Sequence, residues 1–438
     1  MYACCPDNHS HSSVTKAQTL FGMNMIRDSV QSALSCQTMN DLHPLFTENR
    51  TILVSASPHI TTYVKRELAS LGFETSGEGF TTVETRGTFH DAIRLNLHLR
   101  TANHVYLLIE SFVAASIHEL YQKTLAIEWE KILPADGYFS VHNVTNHEEA
   151  GNSMYLNLKV KDAIADRFMS SLQIRPDSGS QKERAVIFIF WKDNEAMIYL
   201  DTSGEPLTKH GYRKISMKAP LQESLAAAMI MATRWDASST FVNPMCGSGT
   251  LAIEAALMAC RKPPGLIRTN FGFMHVKGYD PSVFDALIKT AGHAVLESIA
   301  CKIIASDNSL DALNAARSNA ALAGVDHLIQ FIRSDFESTP MPEEPGVVIF
   351  NPPYGERLGS SEHLELTYTS IGDFMKKKCP GYWGYIFTAN PELAKKIGLK
   401  PKRKIDFYNG QLKCKLLEFE LYSGSRKRRA PDSDETIA

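Results

Sequence analysis

The chemistry-bearing residues that stand closest together are Asn351, Pro352, Pro353 and Tyr354. An amide oxygen and a prolyl carbonyl can both accept from an exocyclic amino group, and a tyrosine ring can stack on the base that carries it. The apolar run Val347-Val348-Ile349-Phe350 before them reads as a buried parallel strand. Two prolines stop that strand and fix the backbone behind it. Ligands of open α/β sheets bind at the carboxyl ends of strands. The segment therefore suits placing a methyl group on a nucleobase nitrogen, with Asn351 and Pro352 as acceptors and Tyr354 as the stacking platform.

A second constellation is Asn243-Pro244-Met245-Cys246-Gly247-Ser248-Gly249-Thr250, which joins a strand to a helix. Glycine is needed where a backbone must turn sharply and lie against a ligand. Gly247, Gly249 and Ala252 also fit a dinucleotide-binding spacing, but that site wants an acid about 20 residues on. The neighbourhood Ile267 to Phe273 has none. The first acid at a predicted strand end is Asp307, which can accept from both ribose hydroxyls of S-adenosylmethionine (SAM) or cap the helix that follows. Asp335 can accept from an adenine amino group or simply sit in a surface turn. Cys246 reads as a small packing residue inside the turn. Asn243, Pro244, Cys246, Gly247, Gly249, Asp307 and Asp335 form the expected cofactor set.

The elements that must position these residues alternate from Ala219 onward, as in a parallel doubly wound sheet. Helices are expected over Leu221 to Arg234, Leu251 to Cys260 and Ser309 to Ala323. Strands are expected at Thr240-Val242, Cys301 to Asp307 and Leu328 to Ile332. Lys404 to Tyr408 and Gln411 to Tyr422 flank Asn409-Gly410, a hairpin signal. A parallel sheet closed by an antiparallel hairpin is characteristic of class I SAM methyltransferases. Ahead of it lie two α+β units, over 50–100 and 101–215. The second has strands at Val105-Ile109, Tyr138-Val141, Val186-Phe190 and Met197-Leu200. Its helix, from about Val160 to Leu172, carries Lys159 and Lys161 near its start. The basic segment Lys209 to Lys214 suits phosphate contact through Lys209 and Arg213, or a solvated loop. Residues 1–49 are polar and unassigned. The tail 425–438, with Arg426-Lys427-Arg428-Arg429, is expected to be disordered.

Bulk properties narrow the classes. At 438 residues the chain needs more than one core. It is 44% hydrophobic and 21% charged, and its formal charge of −2 leaves RNA contact to local basic patches. The eight cysteines include no CxxC pair, so neither a disulfide framework nor a zinc site is expected. Cys4-Cys5 with His9 and His11 is too cramped for a metal cluster. No signal-peptide core and no run of transmembrane length is present, which makes the cytoplasm the expected compartment and a membrane an unexpected partner.

Taken together, Gly204-Glu205-Pro206-Leu207, Gly211-Tyr212-Arg213, Ala219-Pro220-Leu221 with Glu223, Asn243 to Thr250 with Ile253-Glu254-Ala255-Ala256, Asn351 to Leu358, and the run Leu158 to Ile164 resemble the THUMP-domain RNA methyltransferases. Within that group the chain is most similar to the bacterial 23S ribosomal RNA guanine-N2 methyltransferases, over about Thr51 to Tyr422. The resemblance implies a ferredoxin-like element over 50–100, an RNA-binding THUMP domain over 101–215 and a SAM-dependent methyltransferase domain over 216–424. It implies large-subunit ribosomal RNA as the partner. Many members fuse a second methyltransferase domain after the first; ending at residue 438 implies only the guanine-N2 activity. The extension before Thr51 departs from the pattern. Two other readings remain open, adenine-N6 methylation and a non-catalytic RNA-binding assembly factor; a carbon-5 pyrimidine methyltransferase would need a catalytic cysteine, and Cys379, the nearest by type, lies in a basic stretch with no supporting pattern.

Overall fold

The structure, a computed structural model, describes residues 42–150, 152–215, 221–353 and 361–422. Its first half builds one mixed sheet. β1 (Arg50–Ser55), α1 (Thr61–Ser70), β2 (Gly77–Glu78), β3 (Thr82–Gly87) and α2 (Phe89–His98) come first. α2 starts at Phe89 because Thr88 and Asp91 form a reciprocal capping box just ahead of it. β4 (His104–Val113), α3 (Ile117–Ala126), β5 (Tyr138–Thr145), α4 (Ser153–Leu172), β6 (Asp177–Gly179), β7 (Ala185–Lys192) and β8 (Glu195–Asp201) follow. α4 begins at Ser153, ahead of the expected Val160, because the Asn152 side chain accepts from the Tyr155 amide at 2.8 Å.

The strand order is β2-β3-β1-β4-β8-β7-β5-β6. The two expected α+β units thus share one sheet, and β4 is the strand that joins them. Its first residues pair with β1, and along its length it pairs with β8.

The second half contains α5 (Glu223–Ala232), β9 (Thr240–Pro244), α6 (Thr250–Ala259), α7 (Pro281–His293), β10 (Ile303–Asp307), α8 (Leu310–Ala323), β11 (Gln330–Arg333), β12 (Gly346–Phe350), α9 (Ser361–Lys378), β13 (Trp383–Thr388), α10 (Pro391–Lys396), β14 (Arg403–Asn409) and β15 (Leu412–Glu420). The sheet order is β11-β10-β9-β12-β13-β15-β14. The first five strands are parallel, and β15 runs antiparallel to both of its neighbours. From β9 the chain moves outward to β10 and β11, then returns to β12 on the other side of β9. That reversal opens a crevice between the carboxyl ends of β9 and β12.

One apolar core runs from the helices of the first sheet through α5 and α6 to the second sheet. A separate core packs α9 against the opposite face of the second sheet through Val348, Phe350, Tyr368 and Ile371. α5 and α6 are buried almost all round, as helices sandwiched between two layers must be. The stretch between Cys260 and Cys301, which carries no expected element, fastens the halves together. The Cα of Gly265 lies so close to the Leu97 backbone that a Cβ would come within 2.6 Å of it. Arg268 donates to the carbonyls of Pro206 (2.8 Å) and Glu205 (2.9 Å), both just beyond the first sheet.

Candidate active site at the strand carboxyl ends

Four segments converge on one edge of the second sheet, ordered by their strands: Asp335 beyond β11, Asp307 at the end of β10, the glycine turn after β9, and Asn351 after β12. Neighbouring strands lie about 4.8 Å apart, so the four span roughly 14 Å.

The glycine turn is held by its own backbone and by Asp307. Met245, Gly247 and Gly249 all have positive φ (56°, 56° and 83°). A Cβ on Gly249 would lie 2.8 Å from the Ala316 Cβ of α8, so this glycine lets the turn pack on that helix. A Cβ on Gly247 would meet nothing within 4 Å. That glycine faces open space, as a backbone cradling a ligand does. Asp307 Oδ2 accepts from the Gly247 amide at 2.9 Å, and Oδ1 accepts from the Ser309 amide at 3.0 Å. A carboxylate has about four lone-pair positions, so each oxygen can still accept once more. The helix cap itself is Ser309, whose hydroxyl accepts from the Ala312 amide.

Cys246 is buried. Burial and the neighbouring Asp307 carboxylate push its thiol far above the ordinary range, so it is a packing group and not a nucleophile. Pro244 is the last residue of β9, in register with Ser306 of β10, and leaves no amide there to be satisfied.

The crevice is flanked by two side-chain amides. Asn243 is buried and donates its Nδ2 to the Ile349 carbonyl of β12 at 3.0 Å, while its Oδ1 has no partner. Asn351 is half-buried, and its Oδ1 is likewise buried without a partner. Buried polar atoms are almost always satisfied. Two orphaned amide oxygens beside one crevice are acceptors held ready for donors that the protein does not supply. Pro352 behind Asn351 is buried. Tyr354, together with Glu356 and Arg357, lies outside the described residues.

The remaining expected residues sort differently. Asp335 is exposed, and its Oδ1 accepts from the Glu337 amide at 3.1 Å, which is the surface-turn arrangement; its other oxygen stays available on the same sheet edge. Lys209 is exposed. Lys159 is half-buried, with its ammonium 5.6 Å from the Tyr155 ring centroid. Lys161 donates to the Gly179 carbonyl of β6 at 2.7 Å.

Arg213 is a correction. Its side chain is 9% exposed and turned inward, toward the Leu221 carbonyl, Thr250 Oγ1 (3.1 Å) and Glu223 Oε2 (3.4 Å). These protein partners occupy the guanidinium that was expected to meet phosphate. His210 and Tyr212 beside it are buried too. Both contact Glu254 Oε1 of α6, His210 Nδ1 at 2.7 Å and the Tyr212 hydroxyl at 2.8 Å.

Asn319 of α8 carried no expectation, yet its buried amide donates to the Ser248 carbonyl of the glycine turn at 3.2 Å. Its signal was a polar residue on the inward face of an alanine-rich helix, among Ala315, Ala316, Ala320 and Ala323. Cys379, the candidate for carbon-5 chemistry, is fully buried, and burial pushes its thiol up to about 12. Among the described residues no group of three His, Cys, Asp or Glu side chains could hold a metal ion, and no helix is long and apolar enough to cross a membrane.

Comparison with known proteins agrees with this architecture. Residues 51–106 match the RlmL ferredoxin-like domain, 114–201 the THUMP domain, and 210–418 the RMKL-like methyltransferase domain. The chain is 35% identical over 386 residues to the ribosomal RNA large subunit methyltransferase K/L of Syntrophotalea carbinolica, covering 85% of this chain and 54% of that protein. It is 36% identical over 363 residues to the protein of the same name from Psychromonas ingrahamii, covering 81% and 48%. The chain thus spans about half the length of these relatives. Among solved structures, SMU.472, described as a putative methyltransferase and complexed with SAH, superposes with a TM-score of 0.77 at 27% identity, over 87% of this chain and 100% of that one. A Listeria monocytogenes protein described as a predicted N6-adenine-specific DNA methylase gives 0.76 at 28% identity, over 86% and 97%. The chain belongs to the family that joins a ferredoxin-like domain, a THUMP domain and an RMKL-like methyltransferase domain.

Proposed function

We propose that this protein methylates the exocyclic N2 of a guanine in 23S ribosomal RNA of the large subunit. The methyl donor is SAM, which supplies an electrophilic carbon when bound. The residues present fit it. Gly247 leaves open space along the turn, Asp307 keeps acceptor capacity suited to ribose hydroxyls, and two amide oxygens without partners lie on the neighbouring strand ends. Asn243, Pro244 and Cys246 hold the turn that Gly247 and Gly249 shape, and Asp335 offers a further acceptor at the far end.

The observation that carries the reading is the partnerless Asn351 Oδ1 at the topological switch point. A guanine amine is a poor nucleophile because its lone pair is delocalised into the ring. Asn351 Oδ1 and the Pro352 carbonyl would each accept one of its hydrogens and favour a pyramidal nitrogen. That frees the lone pair for in-line attack. A strong base is not required beforehand, since the proton becomes acidic as the nitrogen gains charge. Positioning supplies the rest, at best on the order of 7–11 kcal/mol. The base must leave its stack at a cost of a few kcal/mol, and stacking on Tyr354 would return roughly 1–3 kcal/mol. The THUMP match and the names of the curated relatives support a ribosomal RNA substrate, with Lys159, Lys161 and Lys209 as phosphate contacts.

Adenine-N6 methylation is the second reading. The same acceptors fit an adenine amine, and the Listeria relative is described by that specificity. Incubating the protein with labelled SAM and undermethylated large-subunit RNA, then digesting to nucleosides for mass spectrometry, separates the two. N2-methylguanosine supports the proposal; N6-methyladenosine replaces it.

A further inference from the structure

We propose that residues 210–215 are a strap that sets the conformation of the glycine turn, with Arg213 and Asn319 as positioning residues for the methyl donor. The inference rests on the reading that this turn holds SAM. At one end the strap is anchored in both halves of the molecule. His210 Nδ1 contacts Glu254 Oε1 at 2.7 Å, and its Nε2 contacts the Arg100 carbonyl, just past α2, at 3.0 Å. Tyr212 donates to the same Glu254 oxygen at 2.8 Å. Glu254 lies one helical turn beyond Thr250, the first residue of α6. Arg213 then donates to Thr250 Oγ1 itself.

At the other end Asn319 closes the strap onto the turn. Its Oδ1 accepts from the amides of Lys214 (3.2 Å) and Ile215 (3.3 Å). Its Nδ2 donates to the Ile215 carbonyl (3.0 Å) and to the Ser248 carbonyl between the two glycines (3.2 Å). Two N–H donors meet the oxygen and two carbonyls meet the nitrogen, so the amide has one satisfying orientation and all four of its hydrogen bonds are made. Asn319 is fully buried, which makes those bonds expensive to lose. None of these side chains is needed at the reacting atoms. Asn319 grips the backbone of the turn from behind at Ser248, and Arg213 holds the hydroxyl of Thr250 at its end.

The test uses the full chain and S-adenosylhomocysteine as the calorimetric probe, with Asn319→Ala, Thr250→Val and Thr250→Ser. We expect Asn319→Ala and Thr250→Val to raise the Kd about tenfold. The KM for SAM should rise similarly while kcat at saturating SAM stays within about threefold. Amide exchange over residues 245–252 should accelerate without change in β7 and β8. Thr250→Ser, which restores the acceptor for Arg213, should return wild-type affinity. Thr250→Val removes one methyl-sized hydroxyl and keeps the test open if Asn319→Ala does not fold. Asp307→Ala serves as the control. Unchanged affinity in folded Thr250→Val, with affinity lost in Asp307→Ala, overturns the strap alone. Unchanged affinity in Asp307→Ala as well overturns the cofactor assignment and takes the strap with it.

Discussion

Replacing Asn351 by alanine should move stability and catalysis in opposite directions. In the folded protein Asn351 Oδ1 is buried with no hydrogen-bond partner. Leaving a polar atom in that state costs about 1–3 kcal/mol relative to its solvated form. The residue as a whole is only half-buried, so the lower part of that range applies. Asn351→Ala removes the unsatisfied atom, and the unfolding free energy should stay level or rise by up to ~1 kcal/mol. Transfer should behave otherwise. If the oxygen accepts from an amine that becomes positive as it is methylated, deleting it removes one preorganised electrostatic contact. Comparable deletions cost roughly 10²–10³ in rate, or about 2.7–4 kcal/mol. Asn351→Asp keeps an acceptor at the same position and should retain more transfer than alanine does. The assays are urea unfolding, calorimetry with S-adenosylhomocysteine, and single-turnover transfer of labelled methyl to large-subunit RNA. A variant that transfers within threefold of wild type removes Asn351 from the chemistry. A variant destabilised by more than about 1 kcal/mol makes the amide a structural group, and the inference from its lone oxygen fails.

Asp307→Ala deletes the acceptor of the Gly247 and Ser309 amides, charge-assisted bonds each worth about 1.5–3 kcal/mol; affinity for S-adenosylhomocysteine should fall tenfold or more while RNA affinity, read by filter binding, stays level. The two glycines should separate under alanine substitution. Gly249→Ala adds a 2.8 Å clash with Ala316 to the strain of a positive φ and should destabilise by about 1–3 kcal/mol in thermal unfolding. Gly247→Ala meets open space, so it carries only the roughly 1–2 kcal/mol of backbone strain, and its clearer effect should be on cofactor affinity. His210 should make stability pH-dependent. Burial alone would lower its pKa, but the charge and hydrogen bond of Glu254, with Glu223 behind, outweigh burial and the nearby Arg100 and raise it. A raised folded pKa stabilises fully below the unfolded value of about 6.5 and loses that contribution as pH climbs through the folded value. The stability gap between wild type and His210→Gln should therefore narrow as pH climbs from about 6.5 through the raised folded value; a gap that widens would mean the ring is buried neutral. Cys379→Ser should leave methyl transfer intact, because the thiol is sealed from solvent and held protonated; loss of transfer with the fold preserved would revive a cysteine mechanism.

The second sheet was largely legible because its elements obey local rules. The expected helix at Ser309 begins with that residue as cap and ends at Gly324, where φ is +67°. The hairpin at Asn409-Gly410 appears between β14 and β15. The strand before Asn351 is buried, as four consecutive branched or aromatic residues require. Asn351, Asp307 and Gly247 could be named from sequence because each sits where a strand ends, and strand ends are marked by changes in residue type. Their adjacency also follows from topology: a chain that runs outward from β9 and returns beside it must bring those loops together.

The segment 210–215 and the stretch between Cys260 and Cys301 were illegible for a common reason. Lys209 to Lys214 contains three basic residues, a histidine, a glycine and a tyrosine, which reads locally as a wet loop. Whether such a segment is wet depends on what arrives from elsewhere. His210 meets a carbonyl 110 residues earlier and a carboxylate 44 residues later, and Lys214 meets an amide 105 residues later. Both ring nitrogens of His210 face acceptors, and the Arg213 guanidinium that suggested phosphate contact meets Thr250 and Glu223 inside the protein. The same logic applies to Arg268, whose guanidinium serves carbonyls about sixty residues earlier in the chain. Spacing along a chain reports periodic burial on one element. It carries no trace of a polar group buried by partners from three others. The residues most easily misread as surface are therefore those that tie the first sheet to the glycine turn of the second, and their chemistry becomes visible only once the two sheets are packed.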